Sequence, residues 1–244
     1  MSVKLYSIPV SHPARAVRGM LEHKGIEYDL VNFPVGVHPV GLRLAGFRGR
    51  TVPALKIDGR RVQGSLEIAR ELERIQPDPP LFPADRRAAV EEAEAWGERE
   101  LQPLPRRFFR WGVAHRPRVA QWLAGQAKLP APSVVGVASM PAGRYFAHLS
   151  RATDENMRAG IARLPELLDH VDALIADGTI GRPREPTAAD FQIASSVAVL
   201  RSFGDIKGAV ASRPAAELAE RLFPRALPEL PPFLPEEWLA PVRG

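Results

Sequence analysis

The 244-residue chain contains no cysteine. That absence removes disulfides, cysteine-ligated zinc, thiolate nucleophiles and C-x-x-C redox chemistry together, so any thiol chemistry must use a thiol brought by a ligand. Long hydrophobic runs are missing as well. No stretch of about eighteen apolar residues could span a bilayer, and the opening M-S-V-K-L-Y lacks an apolar leader segment, so the expected setting is the cytoplasm, without a membrane partner. The sequence has neither an internal repeat nor metal-ligand spacing, and no metal is expected. The formal net charge is +5, yet the arginines are scattered and no basic stripe alternates with stacking aromatics. No nucleic-acid partner is expected, and an anionic small ligand accounts for the excess equally well.

The densest set of signals lies between Arg50 and Glu71, R-T-V-P-A-L-K-I-D-G-R-R-V-Q-G-S-L-E-I-A-R-E. Residues 54–57 and 60–63 read as short strands. Asp58-Gly59 between them is a preferred pair for a type I′ hairpin turn, whose central residues both need positive φ. Gly64 ends the second strand. Ser65 stands at the N-cap position of a helix whose apolar residues Leu66, Ile68, Ala69, Leu72 and Ile75 recur at helical period. The free N–H groups of such a helix start suit a carboxylate, although a serine there is also accounted for as a plain cap. Val52-Pro53 is a candidate cis peptide that would turn backbone groups towards a ligand.

At the N-terminus, residues 3–8 read as a strand, 13–24 as a helix with Pro in its first turn and Gly25 as its stop, and 26–31 as a second strand. Such a βαβ unit places a ligand site in the loop after its first strand, here Pro9-Val10-Ser11-His12. Tyr6 is expected in the core. Ser11 is either the cap of the following helix or a ligand-facing hydroxyl, and Ser7 is a weaker alternative to it. His12 is the rival acid–base group, since an imidazole titrates near neutrality.

V-P-A-L, a hairpin with D-G, then G-S opening a helix, in that order, together with K-L-Y-S-I-P-V-S-H-P-A-R-A-V-R-G-M-L-E-H-K-G-I-E-Y-D-L-V before them, resemble the thioredoxin-like domain of the cytosolic glutathione S-transferase superfamily. The resemblance implies a thioredoxin-like α/β domain followed by an all-helical domain, with glutathione as co-substrate. It puts Ser11 at the family's catalytic Ser/Cys position. A hydroxyl there, with the helix dipole, favours the ionised thiol by about one to three kcal/mol. By the same resemblance the Val52 backbone pairs with the cysteinyl amide, Pro53 orients it, and Ser65 holds the γ-glutamyl carboxylate. His38, Arg43, Arg48 and Arg50 are candidates for the glycine carboxylate. The family usually carries an acidic or amide residue directly before the serine. Here it is Gly64, which leaves Gln63 and Glu67 to compensate.

Residues 33–50, rich in glycine and proline, read as a loop with at most a short helix, and Q-P-D-P-P-L-F-P-A-D as a linker. The domain division is 1–78 for thiol binding, 79–86 for the linker and 87–244 for the helical domain with a proline-rich tail. A long helix is expected over 84–100, broken or kinked by P-L-P at 103–105 before helical spacing resumes at 106–115. The resemblance implies that Phe108, Phe109 and Trp111, with Val10 from the first loop, form a pocket wall for a hydrophobic electrophile, whereas their spacing alone reads equally as interhelical core. The segment around Pro130, Pro132 and Gly136 reads as a loop, and 140–149 as ambiguous. Residues 154–176 form an amphipathic helix containing Pro165. Thr187 and Asp190 form a capping box, which resembles the buried box of the transferases, and 214–222 is the last helix. Phe233, Leu234, Trp238 and Leu239 of the tail are expected to pack back on the helices.

The expected activity is transfer of a glutathione-type thiol to a hydrophobic electrophile, a detoxification chemistry, by a homodimer. The alternatives are a different low-molecular-weight thiol, a thiol-dependent isomerisation, and a transferase-like binding module without turnover.

Overall fold

Hydrophobic alternation in the first 63 residues decides which face of the sheet is covered by what. In the computed structural model, which describes residues 1–224 and 227–243, the chain runs β1 (Val3–Ser7), α1 (His12–His23), β2 (Asp29–Asn32), α2 (His38–Leu44), β3 (Ala54–Ile57), β4 (Arg60–Gln63) and α3 (Ser65–Ile75). The sheet order is β2-β1-β3-β4, with β1 parallel to β2 and β3 antiparallel to both its neighbours. Val3, Leu5, Leu55 and Ile57 point to the face covered by α1 and α3 and join the main core. Tyr6 and Ala54, one residue out of phase, point to the other face, where Leu42 of α2 and Phe47 close a small cluster. Tyr6 lies against Phe33 and Phe47, as core packing.

The hairpin forms where Asp58-Gly59 allows it, with φ of 45° and 88°. Lys24 closes α1 and Gly25 follows at φ 64°. Lys24 is fully buried, and its ammonium bonds Glu73 at 2.9 Å and the Pro79 carbonyl at 2.8 Å, so the end of α1 is tied to the segment that leaves the sheet. In that segment Leu81 and Phe82 are buried.

Beyond it lie α4 (Arg87–Trp96), α5 (Pro103–His115), α6 (Pro117–Gln126), α7 (Pro132–Ala138), α8 (Met140–Leu149), α9 (Asp154–Ala176), α10 (Ala188–Leu200), α11 (Lys207–Ala211) and α12 (Pro214–Leu222). Residues 225, 226 and 244 of the stretch expected as a second domain lie outside the described residues. Three proline-rich places differ from the sequence reading. Between α4 and α5 the chain does not break: a π-helical turn over Gly97–Leu101, closed by Gln102 N–H on the Gly97 carbonyl at 2.8 Å, carries it into Pro103. Pro132 and Pro141 sit in the first turns of α7 and α8, so segments read as loop or ambiguous are helices. The reason is common to all three, since the first turn of a helix needs no N–H donors. Pro165 lies inside α9, which continues through it. Neither α6 nor α11 was anticipated.

The two halves share one core. A Cβ built on Gly19 of α1 would lie 2.7 Å from the Phe191 ring of α10, so only glycine permits this approach. The start of α10 is held by the expected box, with Thr187 and Asp190 both buried: Thr187 Oγ1 accepts from Asp190 N–H, and Asp190 accepts from Thr187 N–H at 2.8 Å and from Gly181 N–H at 2.6 Å. The C-terminal tail is pinned by Gly204 N–H to the Leu230 carbonyl and by Asp205 to the Phe233 and Leu234 N–H groups. Phe233, Leu234, Trp238 and Leu239 are buried. Among the described residues, no helix is long and apolar enough to cross a membrane.

Candidate active site

Register brings the three suggestive stretches to one end of the sheet. Tyr6 pairs with Ala54 and Ala54 with Gln63, and Gly64 N–H donates to the Pro53 carbonyl at 3.0 Å. The loop after β1, the Val52-Pro53 step before β3 and the start of α3 after β4 therefore emerge side by side.

Ser11 is the N-cap of α1, its Oγ accepting the Ala14 N–H at 3.2 Å. That bond uses a lone pair and leaves the hydroxyl proton free to donate, so capping and thiolate binding are compatible. Ser7 is spoken for: its buried hydroxyl donates to the Ile8 carbonyl. Val10 is half-buried in the same loop.

The Val52-Pro53 bond is cis. Pro53 is buried, and Val52 is half-exposed, with no hydrogen bond from its N–H or carbonyl among the described residues. Next to it, the N-cap of α3 is Gly64 and not Ser65. Ser65 occupies the first helical position, buried, with its hydroxyl unbonded, and no side chain caps the first N–H groups. The shift has a backbone cause, because Gly64 holds φ 98°. An acidic or amide side chain at 64 would be strained there, which accounts for the departure from the family pattern. Gln63 does not compensate, being bonded to Gly49 N–H at 3.0 Å and the Thr51 carbonyl at 2.7 Å. Glu67 is exposed in the first turn of α3.

His12 corrects the sequence reading. Its ring is buried and its Nε2 donates to the Gln102 carbonyl at 3.2 Å, at the joint between the π turn and α5. Burial, and then the charge of Arg106, push it down to about 3, with Arg15 adding to the effect, so the ring is neutral at physiological pH and acts as a clasp between the halves. Below pH 6.5 the unfolded chain takes up a proton at this position that the folded chain refuses, so stability is lost as pH falls from 6.5 towards 3. Denaturation at pH 7 and pH 4.5 should show the His12→Asn variant losing about 2–3 kcal/mol less than wild type over that interval. Equal losses in both proteins would remove the clasp.

Phe108 and Trp111 are also corrected: both are buried in the interhelical core and offer no surface to an electrophile. Phe108 meets Phe203 with ring centroids 5.4 Å apart. Trp111 meets Trp238 at 5.1 Å, and its indole N–H donates to Asp154 at 2.8 Å. Arg50 is exposed, as are Arg43 and Arg48. His38 is half-buried at the start of α2, where burial and the charge of Arg110 lower its pKa. Arg15, Gln102, Arg106 and Arg110 at this junction escaped the sequence reading. Helical phase was the available signal: once Phe108 points to the core, residues 106 and 110 lie about 160–200° away around the helix.

A family model described as the glutathione S-transferase N-terminal domain matches residues 5–80. No curated protein matches the chain. Among solved structures, a glutathione S-transferase from Rhodospirillum rubrum F11 is 22% identical, covering 98% of this chain and 99% of its own, with a TM-score of 0.62. A maleylacetoacetate isomerase from Anaeromyxobacter dehalogenans 2CP-1, with glutathione bound in its active site, is 21% identical, covering 93% and 92%, with a TM-score of 0.57. A Tau-class glutathione S-transferase from mango is 16% identical, covering 91% and 88%, with a TM-score of 0.60. Residues 5–80 thus match the N-terminal domain of glutathione S-transferases, and the chain as a whole has the fold of these solved structures.

Proposed function

We propose that the protein is a glutathione-type thiol transferase, with residues 1–78 binding the thiol, 79–86 as connector and the helices from 87 onward completing the acceptor site. One observation carries the reading. Among the described residues, Val52 leaves both its main-chain groups unpaired beside a helix start whose first N–H groups no side chain caps. A γ-glutamyl dipeptide unit has the matching groups, an amide to pair antiparallel with Val52 and a carboxylate to meet the N–H groups and the Ser65 hydroxyl. The sulfur of that unit then lies towards the loop after β1, where the free Ser11 hydroxyl proton and the positive end of α1 stabilise its anion. The isomerase of similar fold that holds glutathione supports the same assignment of ligand.

The chemical step needs nothing else from the chain. The thiol gives its proton to solvent, the thiolate forms a C–S bond at the electrophilic carbon, and that carbon's leaving group departs with its bonding pair. His12, neutral and clasped, takes no part. With 1-chloro-2,4-dinitrobenzene as acceptor, the protein should release one chloride for each thioether formed and should saturate with glutathione. A rate no higher than the uncatalysed reaction over the whole glutathione range would refute the assignment.

A further inference from the structure

Three arginines that form no ion pair among the described residues lie about the His12–Gln102 bond, where the first helix approaches α5. Arg15 follows His12 by three residues and shares its face of α1. Arg106 and Arg110 follow Gln102 by four and eight residues and share one stripe of α5. The His12–Gln102 bond holds the two stripes together, and Arg106 also donates to the Gln102 side chain. All three arginines are half-buried, and among the described residues none forms an ion pair.

Two buried nitrogens at this junction have no hydrogen-bond partner, Arg15 Nη1 and His38 Nδ1. Buried polar groups are nearly always paired, and crowded like charges cost stability unless something opposes them. The fields overlap: Arg106 acts on His12 and on Arg110, and Arg110 acts on His38. Burial, and then Arg106, lower Arg110 to about 10, so it remains charged at neutral pH. The carboxylate that acts on Arg106 is Glu98, and it makes no ion pair with it. α8 packs along α5, and its Phe146 approaches the loop before His38: a Cβ built on Gly36 would lie 3.8 Å from the Phe146 ring, against which the exposed Tyr145 ring packs edge-on.

We propose that this arginine stripe binds the anionic group of the acceptor, so that the second substrate is an apolar electrophile carrying a carboxylate and not a neutral hydrophobe. The guanidinium groups of Arg106 and Arg110, one turn apart on α5, hold the carboxylate, and the apolar body extends towards Phe146 of α8. The role as acceptor site rests on the transferase reading, whereas the anion site itself does not.

The test uses 3,5-dinitrobenzoate and 1,3-dinitrobenzene, which differ by one carboxylate and carry no leaving group. Calorimetric titration of the full chain without any thiol should show the carboxylate bound at least about tenfold more tightly. That preference should fall to about one in Arg106→Met/Arg110→Met and persist in Arg118→Met, a change at an exposed arginine of α6. The double variant should melt no lower than wild type, because it removes unpaired charges. Equal affinities in wild type, a preference that survives the double substitution, or a clear fall in melting temperature would each overturn the proposal. So would a loss of glutathione affinity in the double variant as large as the loss of carboxylate affinity, since the stripe would then serve the thiol. Failure of wild type to bind glutathione would count against the transferase reading and leave the anion site standing.

Discussion

Phe108→Ala should destabilise the folded protein by about 3–5 kcal/mol, the usual cost of emptying a phenylalanine-sized space in a core. Phe108 has no exposed surface. Its ring meets Phe203, which in turn meets Phe109 at 4.9 Å and Phe233 at 5.9 Å, so one aromatic cluster joins α5 to the segment after α10 and to the C-terminal tail. Removing it should loosen the tail as well, and hydrogen exchange at the Phe233 and Leu234 N–H groups, bonded to Asp205, would report that loosening. Below the melting transition, the affinity for small aromatic acceptors should be unaltered. Chemical denaturation and acceptor titration on the same variant separate the two roles. A weakened acceptor with unchanged stability would return Phe108 to the pocket wall.

Ser11→Ala should raise the pKa of the bound thiol by about one to two units and cut turnover at pH 6.5 by about 10- to 100-fold, because one hydrogen bond to an anion and one cap disappear. The sign follows from the ionisation. Below the thiol's pKa the rate tracks the thiolate fraction, so the deficit should shrink as pH rises through the new, higher value. Losing the cap for the Ala14 N–H should separately cost about 1 kcal/mol of stability. Ser11→Thr keeps an oxygen that can both cap and donate, and should recover most of both losses. Absorbance of the bound thiolate across a pH series measures the shift directly. An unchanged thiol pKa in the alanine variant would reduce Ser11 to a helix cap.

Local chemistry made parts of this molecule legible in advance. The hairpin over 54–63 follows from Asp58-Gly59, whose backbone needs no distant partner, and the box at Thr187 and Asp190 follows from a spacing of three. Proline misled where its position in a helix mattered more than its presence: Pro103, Pro132 and Pro141 begin helices. The candidate site divides along a similar line. Ser11, Val52 and Ser65 were singled out because each carries a local signature, and strand register sets their stretches at one end of the sheet. His12 was misread because its partner, Gln102, lies ninety residues away and nothing near His12 signals burial. Helical period showed that Phe108 and Trp111 share a face but not what that face meets. Arg15, Arg106 and Arg110 resembled ordinary solvated charges until the fold set α1 against α5.

The central claim is that Val52 and the start of α3 form a seat for a γ-glutamyl thiol. Calorimetric titration of glutathione onto wild type and onto Ser65→Ala tests it most directly. The account predicts a single site on wild type with a Kd tighter than about 1 mM, weakened about tenfold in the variant through loss of one charge-assisted hydrogen bond. A wild-type protein that binds glutathione no tighter than millimolar, or a Ser65→Ala variant that binds it equally well, would contradict the account.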